Sequence, residues 1–270
     1  MDKSVSNFNT RLRTIRLREL LVVLVISTII IIVASDIFPA IEQSDDLFFI
    51  AFLSIVGLSF IWFLRGTTGL ADDFKMIFKP GTRNEILYVF LINIIFAFLF
   101  LCLISTFDIL IGLYDPTWIV GFDMDKVDLS AGAFLISAIG TIIFAPIMEE
   151  LVFRGVLFNR LKIRIGIIPA MLISSFLFAM GHSFGGMTSA FLFGICMCIL
   201  YLKTDNIIVP MSVHFINNLV STILDFTSID AIVSQMPWLA IATIITLIST
   251  VLLIKYIIQE TSILKNKFEN

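Results

Sequence analysis

Apolar residues fall into eight runs, at roughly 20–38, 47–64, 86–107, 130–161, 168–184, 187–202, 207–224 and 236–257. A helix that crosses a hydrocarbon core of about 30 Å needs about 20 such residues, and the runs are that long or nearly so. The pattern predicts an all-α fold: a polytopic membrane bundle of about eight transmembrane helices. Local signals mark its joints. Ser130 or Asp128 can cap the fourth helix, and Pro146, which lacks a backbone donor, should kink it. Pro169 and Pro210 fall in the first turns of the fifth and seventh helices, where proline is tolerated. Gly185-Gly186 makes the return before the sixth, and Asp205-Asn206 supplies turn and cap before the seventh. In the 65–85 loop, Leu70 to Phe78 carries apolar residues at near-helical spacing. It reads either as an interfacial helix or as an ordinary loop.

Composition strengthens this reading. Only 14% of residues are charged and 59% are hydrophobic, against about 25% charged in soluble domains. The net charge of -3 says less than where the charges lie. Lys3 and Arg11, Arg13, Arg16 and Arg18 precede the first run, and Arg65, Lys75, Lys79 and Arg83 follow the second. Arg160, Lys162, Arg164, Lys203, Lys255, Lys265 and Lys267 fall on the same face, leaving Lys126 opposite and Arg154 inside a run. The positive-inside rule then places both termini in the cytoplasm, in a multi-pass protein of the plasma membrane. The opposite loops carry the acidic residues, among them Asp108, Asp115, Asp123, Asp125 and Asp230, which read as a solvated outer face and not as a metal site. The arginines ahead of Leu20 to Ala34 also resemble a signal peptide with a site at Ala34-Ser35. A retained first helix is expected, because the charge pattern needs an even number of spans. No basic patch for nucleic acid is present, and Cys102, Cys196 and Cys198 lie in apolar runs as packing residues.

The chemistry concentrates in Phe144-Ala-Pro-Ile-Met-Glu-Glu-Leu-Val-Phe-Arg-Gly155, which sets Glu149, Glu150 and Arg154 in an otherwise apolar run. One charge at the centre of a membrane helix costs roughly 2.5–3.5 kcal/mol, so these three must be partnered or used. The chain has 2 histidines, His182 and His214, and both lie in apolar runs. Counted along the helices, Glu149, His182, His214 and Asn218 lie roughly 18, 21, 11 and 17 Å deep. They can therefore meet near the midplane. Glu150 and Arg154 are four residues apart and face one another, while Glu149 is turned about 100° away. One carboxylate can be neutralised while its neighbour stays free. His214 and Asn218 share a face by the same spacing, and Asn217 points elsewhere as a packing or supporting residue. Glu149 with His182 could hold and deprotonate a water, and His214 with Asn218 could stabilise an oxyanion. A salt-bridge lock is the alternative role for Glu150 and Arg154. Ser183 beside His182 makes only a weak case for a covalent nucleophile.

Glu149-Glu150-x-x-x-Arg154, then Phe178-x-x-x-His182, then His214-x-x-x-Asn218, resembles the CPBP family of intramembrane endopeptidases, the CAAX prenyl protease and bacteriocin-processing group. The resemblance covers about residues 130–225, a four-helix protease core between helices 1–3 with their tail (1–129) and a last helix with its tail (226–270). It implies a glutamate-dependent endopeptidase without a cofactor. Glu149 and His182 would activate water, His214 and Asn218 would form the oxyanion site, and Glu150 and Arg154 would support the architecture or substrate. The implied partners are the lipid bilayer and a peptide or protein substrate, either a prenylated CAAX C-terminus or a membrane-associated precursor.

Two alternatives stay open. Glu149, His182 and His214 could ligate zinc with one open position, although His-Glu-x-x-His is absent. The chain could also be a proton-coupled transporter or a non-catalytic scaffold or bacteriocin-immunity protein that binds a partner without cutting it.

Overall fold

The structure is a computed structural model that describes residues 8–64, 66–115, 117, 130–227, 235 and 238–269. Among these residues there are helices and turns and no strand. After the short α1 (Phe8–Leu12) come α2 (Leu17–Ile37), α3 (Pro39–Glu42), α4 (Asp45–Leu64), α5 (Leu70–Met76) and α6 (Pro80–Tyr114). The 35-residue α7 runs over Ala131–Ile165. It is followed by α8 (Ile167–Ala179), a 3-10 turn at Phe184–Gly186, α9 (Met187–Thr204), α10 (Ile208–Thr227) and α11 (Trp238–Glu269).

Each of the eight apolar runs is centred on one helix, although the fifth outlasts its helix, so that His182 lies in the exposed turn after Ala179. Six helices are long and apolar enough to cross a membrane, whereas the apolar parts of α8 and α10, Ile167–Ala179 and Ile208–Leu224, are shorter. The expected eight full spans therefore stand at six by length. Many apolar side chains point outward, as on α2 at Leu21, Val25, Ile29 and Ile32, which suits a surface solvated by lipid. Burial all around a helix marks the centre of a bundle. Here that helix is α9, where Ile195, Cys196, Met197, Cys198, Ile199, Leu200 and Tyr201 are all buried. α8 packs along α9, α6 lies against α10 and α11, and α2 pairs with α4.

Ser130 caps α7 by accepting from the Ala133 N–H at 3.3 Å; the alternative cap Asp128 lies outside the described residues, as do Arg65, Lys126, Asp123, Asp125 and Asp230. Pro146 does not break α7. The helix widens to π geometry at Gly140–Phe144 before the proline and again at Glu150–Phe158 after it, so the missing donor falls between two stretches with shifted hydrogen bonding. Gly166, at φ 85, ends α7 and turns the chain into α8. Asp205, in the left-handed region at φ 52, ends α9, and Asn206 Oδ1 accepts from the Ile208 N–H at 2.9 Å to start α10.

The Leu70 to Phe78 stretch is helical over Leu70–Met76 and not an ordinary loop. It is tied down by Asn9 of α1, which is 1% exposed. Asn9 Nδ2 donates to Asp73 Oδ2 at 2.8 Å, and Asn9 Oδ1 accepts from the Ile207 N–H at 2.9 Å. Asn206 Nδ2 donates to the Asp73 carbonyl at 2.7 Å. At the same end Arg13 pairs with Asp205, Arg160 Nε donates to the Ile15 carbonyl at 2.6 Å, and Lys203 pairs with Glu85 and Glu260. The basic residues that the sequence sorted to one face thus meet at one end of the bundle.

Asn9→Ala should strip the buried Ile207 N–H of its partner, at a cost of about 1–3 kcal/mol, read as a lower melting temperature in detergent and faster proteolysis around α5. Burial and the neighbouring Asp72 carboxylate hold the Asp73 carboxyl above its usual range, while the Asn9 hydrogen bond pulls it down. A raised folded pKa favours the protonated form. The junction should therefore be tightest below about pH 4 and loosen as pH rises through the folded pKa. Asp73→Asn should abolish that pH dependence of α5 protease sensitivity.

Candidate active site

Glu150 and Arg154 sit one turn apart on α7, and both side chains are 0% exposed. Arg154 Nη1 donates to Glu150 Oε1 at 3.0 Å. The same oxygen receives His214 Nδ1 of α10 at 2.9 Å. A carboxylate only accepts, so this bond fixes a proton on Nδ1 of His214 and turns Nε2 outward. His214 Nε2 then lies 3.6 Å from Oε2 of Glu149, whose side chain keeps 25% of its surface exposed. The two adjacent carboxylates are therefore distinct. Glu150 is sealed and paired, and Glu149 remains accessible.

Phe178 of α8 is the ring around which the cationic and imidazole groups gather. The Arg154 guanidinium lies 4.4 Å above its centroid, a cation–π contact that partly replaces lost hydration. The His182 ring is 4.8 Å away, the His214 ring 5.7 Å away and edge-on, and Phe193 is stacked at 6.3 Å. The Phe178 carbonyl accepts from His182 Nδ1 at 3.1 Å. Because a carbonyl cannot donate, His182 in its neutral form presents Nε2 as a free acceptor. Asn218 Nδ2 donates to the Thr141 carbonyl at 2.8 Å, within the widened turn Gly140–Phe144 of α7. Its second N–H and its Oδ1 remain.

A pocket of about 200 Å³ brings together His182, His214 and Asn218, with Phe178 and Phe193 in its apolar wall and Asn93, Asn217, Ser189 and Ser221 around them. A larger apolar groove of about 690 Å³, lined in part by Phe60, Phe74, Met148, Leu151 and Phe215, runs beside α4, α5, α7 and α10.

The six expected site residues thus lie on α7, on α10 and in the turn after α8; contacts through His214 and Phe178 join five of them, and Asn218 shares the pocket of the two histidines. The pairing within that set differs from expectation. The histidine against Glu149 is His214, and His182 is held by Phe178 on the other side of the ring. Glu150 and Arg154 do form the expected lock, and Glu150 also orients His214, a role that the i,i+4 spacing within α7 alone did not reveal. Among the described residues no group of three His, Cys, Asp or Glu side chains is arranged to hold a metal ion. Cys196 and Cys198 are buried free thiols.

Two site residues went unseen in the sequence. Phe178 stood in a motif without a role. Asn93, buried on α6 and lining the pocket, is the one amide in the 86–107 run, and polarity in an apolar span was the signal available.

Residues 131–220 match the family model Rce1-like, described as type II CAAX prenyl endopeptidase Rce1-like. No curated protein and no solved structure matched the chain. This segment is thus similar to the CPBP, or CAAX, protease family, whose members are intramembrane endopeptidases. With its long apolar helices the chain is an integral membrane protein.

Gly194 of α9 leaves room for this arrangement. A Cβ built there would lie 2.9 Å from Ser175 Cβ, 3.1 Å from Ser175 Cα and 3.1 Å from Arg154 Nη2. Gly194→Ala should therefore push α8 from α9 or displace Arg154, costing about 1–3 kcal/mol in detergent unfolding. Arg154→Ala should cost more, about 3–5 kcal/mol, because it leaves the Glu150 carboxylate buried and unpaired.

Proposed function

We propose that the protein is an intramembrane endopeptidase in which Glu149 is the general base. It hydrolyses a peptide bond of a prenylated CAAX-type C-terminus or of a membrane-associated peptide precursor. One observation carries this reading: His214 stands between two adjacent carboxylates, one sealed by Arg154 and one accessible, and faces the same pocket as His182 and Asn218.

In the hydrolysis, the Glu149 carboxylate takes a proton from a water that attacks the scissile carbonyl, while the Nε2 lone pair of His182 holds the same water from the other side. Charge balance supports the part given to His214. Glu150 and Arg154 cancel, and a His214 that carries a second proton would cancel Glu149, leaving the four side chains neutral together. Such a His214 aims an Nε2–H at the pocket, and Asn218 adds its second N–H. Those two donors suit the oxyanion that develops on the carbonyl oxygen. The proton held by Glu149 then passes to the leaving amine as the C–N bond breaks. No metal or cofactor enters this scheme.

The protease core extends over 130–225, with helices of 1–129 before it and one membrane helix after it. All eight apolar helices enter the membrane, α8 and α10 as short crossings at the site, and both termini are cytoplasmic in the plasma membrane. The sorting of lysine and arginine to one end supports that topology.

Detergent-purified protein should cleave a fluorogenic farnesylated CAAX peptide with a chelator present. Glu149→Ala should lower kcat/KM by at least a thousandfold, and Asn218→Ala by roughly 10²–10³ in kcat. Full activity in Glu149→Ala, or loss of activity with the chelator that zinc restores, would defeat this assignment. Cleavage of unmodified peptides in place of the farnesylated one would move the substrate class and keep the mechanism.

A further inference from the structure

The hydrolytic scheme leaves several polar groups of the pocket without a task. Asn217 adjoins Asn218 on α10, lines the same pocket, and has a buried Oδ1 without a hydrogen-bond partner. Its Nδ2 likewise has none among the described residues. Buried side-chain oxygens are almost always paired, because an unpaired one forfeits its hydration.

Asn93 lines the pocket from α6, the helix packed against α10. It is 3% exposed and donates one N–H of its carboxamide to the Val89 carbonyl of its own helix at 2.8 Å. Its side chain also hydrogen-bonds that of Cys196 on α9. The pocket therefore holds the unsatisfied carboxamide of Asn217 together with a paired one, alongside the histidines that face the reacting bond.

A carboxamide has one acceptor oxygen and two donor hydrogens, and the chemical group complementary to both its ends is another amide. A polypeptide main chain presents that group at every residue. It does so whichever way the oxygen and nitrogen of Asn217 are turned. We propose that Asn217, in the pocket that Asn93 also lines, is a main-chain recognition site that pairs with one backbone amide of the bound substrate. The pocket thereby holds the chain in register beside Glu149 whatever side chain is present at that position. This rests on the peptidase reading above and adds how the substrate backbone is gripped.

An ester scan tests it. In a farnesylated CAAX peptide each backbone N–H except that of the scissile bond is replaced in turn by an ester oxygen, which removes the donor and preserves the shape. One position should lose about tenfold in kcat/KM with the wild-type protein, through KM more than kcat. Asn217→Ala should cleave the all-amide peptide with a similarly raised KM and show no further loss for the ester at that position. A merely structural asparagine would lower activity for every peptide alike. Equal cleavage of all esters by the wild type overturns the proposal, as does an ester penalty that persists undiminished in Asn217→Ala. Should that variant misfold, the wild-type scan alone still decides, with Asn93→Ala as the second variant. Binding of the same peptides to Glu149→Ala protein, read by fluorescence anisotropy, separates this idea from the peptidase reading. A position-specific ester penalty in binding without any wild-type cleavage sustains the recognition site and refutes the protease, while no binding and no cleavage refutes both.

Discussion

Glu150 Oε1 is the atom on which the site depends. It takes Arg154 Nη1 from its own helix and His214 Nδ1 from α10, so a single carboxylate oxygen ties two helices and fixes the tautomer of an imidazole. Both charges of the lock are fully buried. Pairs of this kind contribute little net stability, because desolvation offsets their attraction, but losing one partner is costly. The value of this pair lies in geometry. With Nδ1 committed to Glu150, Nε2 of His214 must face Glu149 and the pocket.

The widened turns of α7 belong to the same construction. An unbroken α-helix through Pro146 would lack one donor and leave one carbonyl bare. The i→i+5 stretches on either side absorb that fault, and the first offers its Thr141 carbonyl to Asn218. The proline, the wide turn and the asparagine are thus coupled: α10 is pinned to α7 at Asn218 as well as at His214, one turn apart. Phe178 closes the arrangement from α8 by placing one aromatic face under Arg154 and its carbonyl on His182. Five polar side chains and a guanidinium can stand in an apolar bundle because each finds at least one polar or aromatic partner.

Much of this was legible in the sequence. The eight apolar runs located the helices because lipid contact demands long apolar stretches, and charge amid such runs singled out Glu149, Glu150 and Arg154. Helical periodicity set Glu150 against Arg154 and turned Glu149 away, as the structure has them. It could not say which histidine meets which glutamate, because that depends on how α8 and α10 are rotated about their axes, and periodicity within one helix carries no such information. Pro146 was read as a kink because proline removes a donor, yet the widened turns that accommodate it leave no local signature. Asn93 and Asn217 were passed over or set aside for a related reason. A lone amide in an apolar run becomes informative only when the helix facing it is known.

The matched segment, 131–220, does not build its surroundings alone. Gly155 of α7 has no side chain where Leu12 of α1 packs, and a Cβ there would stand 2.6 Å from Leu12 Cδ2. Asn9 reaches from α1 to the first residues before α10, the helix that carries His214 and Asn218. Asn93 reaches into the pocket from α6. The first hundred residues therefore act on the site in two ways. They fix the end of the helix that presents the imidazole and the amides, and they supply one wall of the cavity. A protease core embedded in lipid has no water to satisfy its backbone and polar side chains. Contacts that in a soluble enzyme could be left to solvent must here come from other parts of the chain, and in this protein α1, α5 and α6 provide them.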